Sequence, residues 1–239
     1  PDRDDWQHGA YIFEKIDGTW TEVAQLVGDD VGPEDGFGKN VAIHGDTALV
    51  SAELKRIGAA NGAGAVYVFE RGEAGWRQTA QIVAPEPAAN GRFGSAGGNS
   101  EFDPGTAIAL HGDNAAIAAV FGAQGAVYTF QRSGEQWQLT ARLTGPDEAA
   151  NDGFGRSIDL DAERLVVGAP GDNTVGPAIG AAWIYERSDG QWQVIDAIYP
   201  PEEEAWDACA VCNRQPNGLG FGHRVALTGD EVLIANPGE

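Results

Sequence analysis

Apolar residues fall in short alternating runs along this chain, and the runs recur at a fixed spacing. Four segments share one pattern: HGAYIF (8–13), GAVYVF (64–69), GAVYTF (125–130) and GAAWIY (180–185). Seven residues beyond each terminal aromatic stands a tryptophan, pairing Phe13 with Trp20, Phe69 with Trp76, Phe130 with Trp137 and Tyr185 with Trp192. Six residues beyond each tryptophan stands a branched aliphatic, namely Leu26, Ile82, Leu143 and Ile198. Alternation of aromatic and β-branched residues with polar ones predicts strands, and the polar, turn-rich stretch before each tryptophan makes each unit a hairpin.

A second hairpin alternates with the first. It reads VAIHGDTALVSA (41–52), AIALHGDNAAIAA (107–119), SIDLDAERLVVGA (157–169) and VALTGDEVLIA (225–235). Gly45-Asp46, Gly112-Asp113 and Gly229-Asp230 supply tight turns between apolar runs, and Ala162-Glu163 holds the same place in the third copy. Phe37-Gly38, Phe154-Gly155 and Phe221-Gly222 lead into three of these hairpins. In the remaining copy Pro104-Gly105 takes the slot, with a displaced Phe93-Gly94 upstream.

Two hairpins per repeat make a four-stranded antiparallel unit, and a series of such units predicts an all-β propeller. At these residues the chain resembles the FG-GAP repeat family, which includes the headpiece propeller of integrin alpha chains. Gly168-Ala169-Pro170 after Phe154-Gly155 is the fullest copy of that signature. The resemblance extends over essentially the whole chain and implies blades. Function is left open, since propellers serve many roles.

The reading gives a single domain, 1–239, of about four blade equivalents: 37–83, 104–143, 154–198, and one blade shared between 221–239 and 1–27. Joining the ends removes two unpaired strand edges, each a template for aggregation. A fragment of a larger ring, or a blade completed between neighbouring subunits, is the alternative. Completion of that second kind builds a closed ring or a filament.

Strand alternation places both hairpin turns of each blade on one side and the long connections 53–63, 84–105, 170–179 and 199–220 on the other. The long loops are acidic, and the whole chain carries a net charge of −21. Such a charge disfavours nucleic acid and anionic lipid as partners and favours a cation or a cationic ligand. No apolar run reaches the length of a membrane span. Methionine is absent, so the chain reads as a processed or truncated product. Removal of a secretory signal fits an extracellular, cell-surface or periplasmic setting.

Integrin-like propellers carry calcium on Asp-rich loops between blade strands, so the resemblance makes calcium a candidate cofactor, although the full loop of that kind is absent from this sequence. Gly171-Asp172-Asn173-Thr174 is the nearest approach to such a loop, which makes Asp172 and Asn173 the metal candidates. Glu53 to Ala63, the corresponding loop of the first blade, holds one acid and two bases. Cys209 and Cys212 lack the further ligands of a metal site and read as a local disulfide in the longest loop. The repeat tryptophans keep register and read as blade packing. Trp6 and Trp206 break it and are candidates for the ligand face, along with Glu202, Glu203, Glu204 and Asp207. No nucleophile or metalloprotease motif occurs. The sequence therefore argues for binding, adhesion or assembly with a protein, a glycan or itself. A carboxylate-dependent hydrolase or lyase is the less favoured reading.

Overall fold

Sixteen antiparallel strands follow one another as hairpins in the computed structural model, which describes residues 9–97, 105–120, 125–145, 152–175, 179–201 and 220–237. The chain divides into two units, Pro1–Phe93 and Gly94–Glu239.

The first unit begins with the hairpin of β1 (Ala10–Ile16) and β2 (Thr19–Leu26), a two-stranded sheet. A four-stranded sheet follows, in the order β3 (Phe37–His44), β4 (Thr47–Ala52), β5 (Ala65–Gly72), β6 (Gly75–Ile82). Strand β4 is buried along its whole length, as is the first half of β5, which is why they read as near-continuous apolar runs. Phe37, Val50, Tyr67 and Phe69 form the centre of its core, and Ala10, Ile12 and Ala24 of the first hairpin pack against it.

The second unit holds two more such sheets. One is β7 (Ile108–His111), β8 (Asn114–Ala119), β9 (Ala126–Ser133) and β10 (Gln136–Leu143). The other is β11 (Ser157–Leu160), β12 (Arg164–Ala169), β13 (Ala181–Ser188) and β14 (Gln191–Ile198). A terminal hairpin, β15 (Arg224–Thr228) with β16 (Glu231–Ala235), is a two-stranded sheet. Within this unit neighbouring sheets meet through face packing and backbone links that include Ile158 N–H to Thr106 O and Phe221 N–H to Ile179 O, both 3.0 Å. Val225 of β15 is buried against Val166 and Ala182 of the preceding sheet. The predicted four-stranded units are therefore present, with the predicted order of hairpins.

The Phe-Gly step explains how the chain enters each four-stranded repeat. Its glycine has φ of +91° at Gly38, +86° at Gly94, +91° at Gly155 and +89° at Gly222, a region that a side chain disfavours. The glycine N–H then reaches the second strand of its own unit: Gly155 to Gly168 O at 3.0 Å and Gly222 to Ala235 O at 3.2 Å. Gly94 makes the same bond to Ala118 O at 2.8 Å. This corrects the sequence reading. Phe93-Gly94 performs the step in the second copy, where counting along the sequence had put Pro104-Gly105; Pro104 lies outside the described residues. Phe93 is fully buried.

The phenylalanine of the step lands on a glycine that precedes the third strand of the earlier unit. A Cβ would lie 2.3 Å from Phe93 N at Gly64, 2.0 Å from Phe154 O at Gly125 and 2.2 Å from Phe221 O at Gly180. Three times the close approach of two backbones demands a residue without a side chain.

All four outer hairpins carry a register shift at one place, beside Phe13, Phe69, Phe130 and Tyr185. The bulge lies beside the repeat aromatic, which is buried at Phe69, Phe130 and Tyr185 and 52% exposed at Phe13, and its extra residue accounts for the constant spacing from tryptophan to aliphatic. Each tryptophan sits opposite a base: Trp20 and Lys15, Trp76 and Arg71, Trp137 and Arg132, Trp192 and Arg187. Trp76 and Trp192 pack against the cores, as expected, and the Arg71 guanidinium lies 5.8 Å from the Trp76 ring centre. Trp20 departs from the blade-packing reading. It is 68% exposed, in a hairpin whose sheet has only two strands.

Replacing Gly94 with Ala forces an L-residue into the +86° conformation, at a cost of about 1–3 kcal/mol. Gly112→Asn, at a turn tip with open space around it and a φ that Asn tolerates, is expected to change stability by less than about 0.5 kcal/mol. Urea unfolding of the two variants tests this, and equal effects would return the step to Gly105.

Candidate binding face

Two loops of each blade emerge on the side opposite the hairpin turns: the entry loop before the Phe-Gly step and the loop between the second and third strands. In the first unit the entry loop ends at Asp35-Gly36 and in the second at Asp152-Gly153, and both glycines have φ of +67°. The neighbouring loop is tied to each by one bond, Leu54 N–H to Asp35 O at 2.9 Å and Gly171 N–H to Asp152 O at 2.8 Å. The next residue folds back identically: Lys55 N–H to Ala52 O and Asp172 N–H to Ala169 O, both 3.0 Å. It then accepts from the glycine ahead of the third strand, Gly64 to Lys55 O and Gly180 to Asp172 O, both 2.9 Å. Lys55 and Asp172 thus occupy one backbone slot with opposite charges.

In the first unit the slot is filled by its own cation. The Lys55 ammonium is buried, 3.1 Å from Asp35 Oδ2 and 3.3 Å from Asp30 Oδ2, and also donates to Asp30 O. Tyr67 donates its hydroxyl to Asp30 Oδ1 at 2.5 Å, and Gly32 N–H donates to Asp35 Oδ2 at 2.7 Å. That Tyr67 hydrogen bond, with help from Lys55 and against some desolvation, holds the Asp30 carboxyl below its ordinary range. Burial, then the Asp30 charge, raises the Tyr67 phenol, so it stays protonated as a donor. Beside this network Glu53 is buried and paired with Lys39 at 2.7 Å and Arg92 at 3.8 Å.

In the second unit the same slot presents carboxylates. Asp172 is 2% exposed and Asp152 is 5% exposed. Asp172 Oδ1 accepts the Thr174 N–H at 2.9 Å, a turn that fixes the start of the loop. Asp172 is therefore well placed, and Asn173 follows it in the same loop. Calcium takes six to eight oxygens, and among the described residues no group of three or more His, Cys, Asp or Glu side chains could hold a metal ion. The described side chains alone do not complete a calcium site.

The other sequence candidates, Trp6, Trp206, Glu202, Glu203, Glu204, Asp207 and the Cys209–Cys212 pair, lie outside the described residues. Sequence reasoning missed Lys55, Asp35, Asp30 and Tyr67 as a unit. Their signal was present: counting from each Gly-Phe-Gly aligns Lys55 with Asp172 and Asp35 with Asp152.

The repeated four-stranded sheets define a protein of propeller-blade topology. Residues 20–69 and 137–185 match the FG-GAP repeat. Each match runs from a repeat tryptophan, through a Phe-Gly step, to the aromatic of the next unit. The intervening copy is the one whose Phe-Gly step is displaced upstream. No curated protein matches the chain. Among the described residues, no helix is long and apolar enough to cross a membrane.

Two outcomes follow from the Lys55 network. Lys55→Met strands the partly buried Asp35 carboxylate and is expected to cost about 1–3 kcal/mol in urea unfolding. A Lys55→Met, Asp35→Leu double variant recovers part of that loss. The lowered Asp30 pKa makes a contribution to stability that is complete above the ordinary carboxylate value, about 3.9, and is lost as pH falls through the lowered folded value. The stability gap between the wild type and Asp30→Asn is therefore expected to narrow on acidification below about pH 4. In Tyr67→Phe, carboxyl NMR titration should find Asp30 displaced upward; an unmoved value would remove Tyr67 as the cause.

Proposed function

We propose that this chain is a non-enzymatic binding or adhesion module of propeller type, acting outside the cytoplasm through the loop side of its blades. The observation that carries this reading is the slot shared by Lys55 and Asp172. Its backbone bonds are the same in both units, while the side chain changes from a base tied to two acids into a buried acid. A constant frame with exchangeable side chains suits recognition. The partner is a protein or a glycan, and the charge of the chain favours a basic protein surface.

Binding of a lysine-rich peptide and of neutral oligosaccharides, measured by surface plasmon resonance, tests the assignment of the face. Asp29→Lys, Glu34→Lys and Glu86→Lys together, all exposed on the loop side, are expected to weaken peptide binding by about tenfold or more. Glu73→Lys with Glu135→Lys, at exposed hairpin turns, is expected to leave it within about twofold. Equal losses in both would show unspecific charge attraction and defeat the reading.

Calcium on Asp172 and Asn173 is the cofactor part of the proposal. Its support is the buried Asp172 carboxylate in the slot that Lys55 fills elsewhere, with backbone carbonyls and water as the remaining ligands. Calcium chloride should raise the melting temperature of the wild type and not that of Asp172→Asn. A shift of the same size in both variants would place the ion elsewhere.

A further inference from the structure

One tetrapeptide occurs twice in the first unit, with the same chemistry and different surroundings. Ala59-Ala60-Asn61-Gly62 lies in the loop between β4 and β5, and Ala88-Ala89-Asn90-Gly91 lies in the entry loop before Phe93-Gly94. Asparagine followed by glycine is well suited to intramolecular imide formation, because no side chain shields the glycine nitrogen from the neighbouring amide carbon. A third such pair, Asn217-Gly218, lies outside the described residues.

The two copies touch. Asn90 N–H donates to Asn61 O at 2.8 Å, Arg92 N–H to Gly62 O at 3.0 Å and Phe93 N–H to Ala63 O at 2.8 Å. Each of these bonds takes its N–H from the entry loop and its carbonyl from residues 61–63. The Gly91 nitrogen is held as well. Its N–H donates to Ala88 O at 3.0 Å, and Asn90 stands in the left-handed region at φ +58°. For Asn90 to react, that bond must break and the turn must open. Gly62 is under no such hold. Among the described residues, neither its N–H nor the Asn61 side chain makes a hydrogen bond. Both asparagines are exposed, so access of water does not separate them.

We propose that Asn61 is a site of spontaneous deamidation in the folded protein, and that Asn90 is protected by its hydrogen bonds. The Gly62 nitrogen gives its proton to hydroxide or another base and attacks Asn61 Cγ. The new N–Cγ bond closes a cyclic imide, and the side-chain amide nitrogen departs as ammonia. Water then opens the ring. Addition at Cγ breaks the new bond and leaves aspartate. Addition at the α-carbonyl carbon breaks the original peptide bond and leaves isoaspartate, in which the main chain runs through the former side chain. No oxidant or reductant takes part.

Either product adds a carboxylate to the loop that begins beside Lys55. Isoaspartate does more. The carbonyl that accepts the Asn90 N–H then belongs to a free carboxylate off the main chain, and the backbone gains a methylene between residues 61 and 62. The bonds that Asn90 and Arg92 make to this loop lose their register. The frame of the loop side therefore ages in one direction, whatever that side binds.

Ageing the intact protein at mildly alkaline pH in heavy-oxygen water, then digesting it at acidic pH for peptide mass spectrometry, tests the assignment. The oxygen label marks conversions that precede digestion. In the folded protein Asn61 should convert at least about tenfold faster than Asn90, whose turn must open first. In urea, which releases both copies, the two rates should fall within about threefold of each other. Equal rates in the folded protein, or faster conversion at Asn90, overturn the proposal. So does an Asn61 that survives in the folded protein while the unfolded chain reacts. Hydrogen exchange at residues 88–93 tests the second step. It should quicken in the isoaspartate fraction and stay unchanged in fresh Asn61→Asp, which adds charge alone; equal exchange in the two overturns the loss of register.

Discussion

One backbone contact governs this structure: the Phe-Gly step seated on the glycine ahead of the preceding repeat's third strand. Its own glycine must take φ near +90°, and the receiving glycine at 64, 125 or 180 must lack a Cβ. In return the step ties its own second strand by a backbone bond, so a single dipeptide fixes both the entry into a sheet and its seat on the neighbour. The phenylalanine adds a core plug. Phe37 meets Tyr67 and Phe69 edge to face at 5.5 and 6.4 Å, and Phe154 meets Tyr185 in the same way at 6.3 Å.

Because backbone fixes the joint, the loops beside it are free to vary in side chain. Entry loop and second-to-third-strand loop keep their mutual bonds whether the slot holds Lys55 or Asp172. In the first unit one internal ammonium is shared by Asp30 and Asp35, and the burial of Lys55 and partial burial of Asp35 are tolerated because each has a partner. In the second unit the same geometry brings two acids inside. A repeat fold can thus change the chemistry of one face without disturbing its sheets, a more economical route than rebuilding a loop.

The fold was largely legible because alternation and fixed offsets are properties of the sequence itself. Trp76, Leu143 and Phe154 could be assigned to strands or steps by counting alone. The misreading at Pro104-Gly105 arose because counting back from the next hairpin does not reveal the displaced step, whereas the φ of Gly94 and the burial of Phe93 do. The bulges beside Phe69 and Tyr185 were hidden for a related reason. A register shift repeated in every copy leaves each offset constant and so gives no sequence signal. The site was less legible than the fold. The Lys55 network depends on groups from three separate stretches, Asp30 and Asp35, Lys55, and Tyr67, and only the folded sheet brings them together.

Repetition also gives the exposure of a side chain a reference. In a non-repeating domain an exposed valine has no reference, and single apolar residues on a surface need no explanation. Here three other copies state what Val41, Ile43 and Leu233 are for, since their counterparts are buried at the same register. Exposing these side chains forgoes about 1.5–3 kcal/mol each in burial.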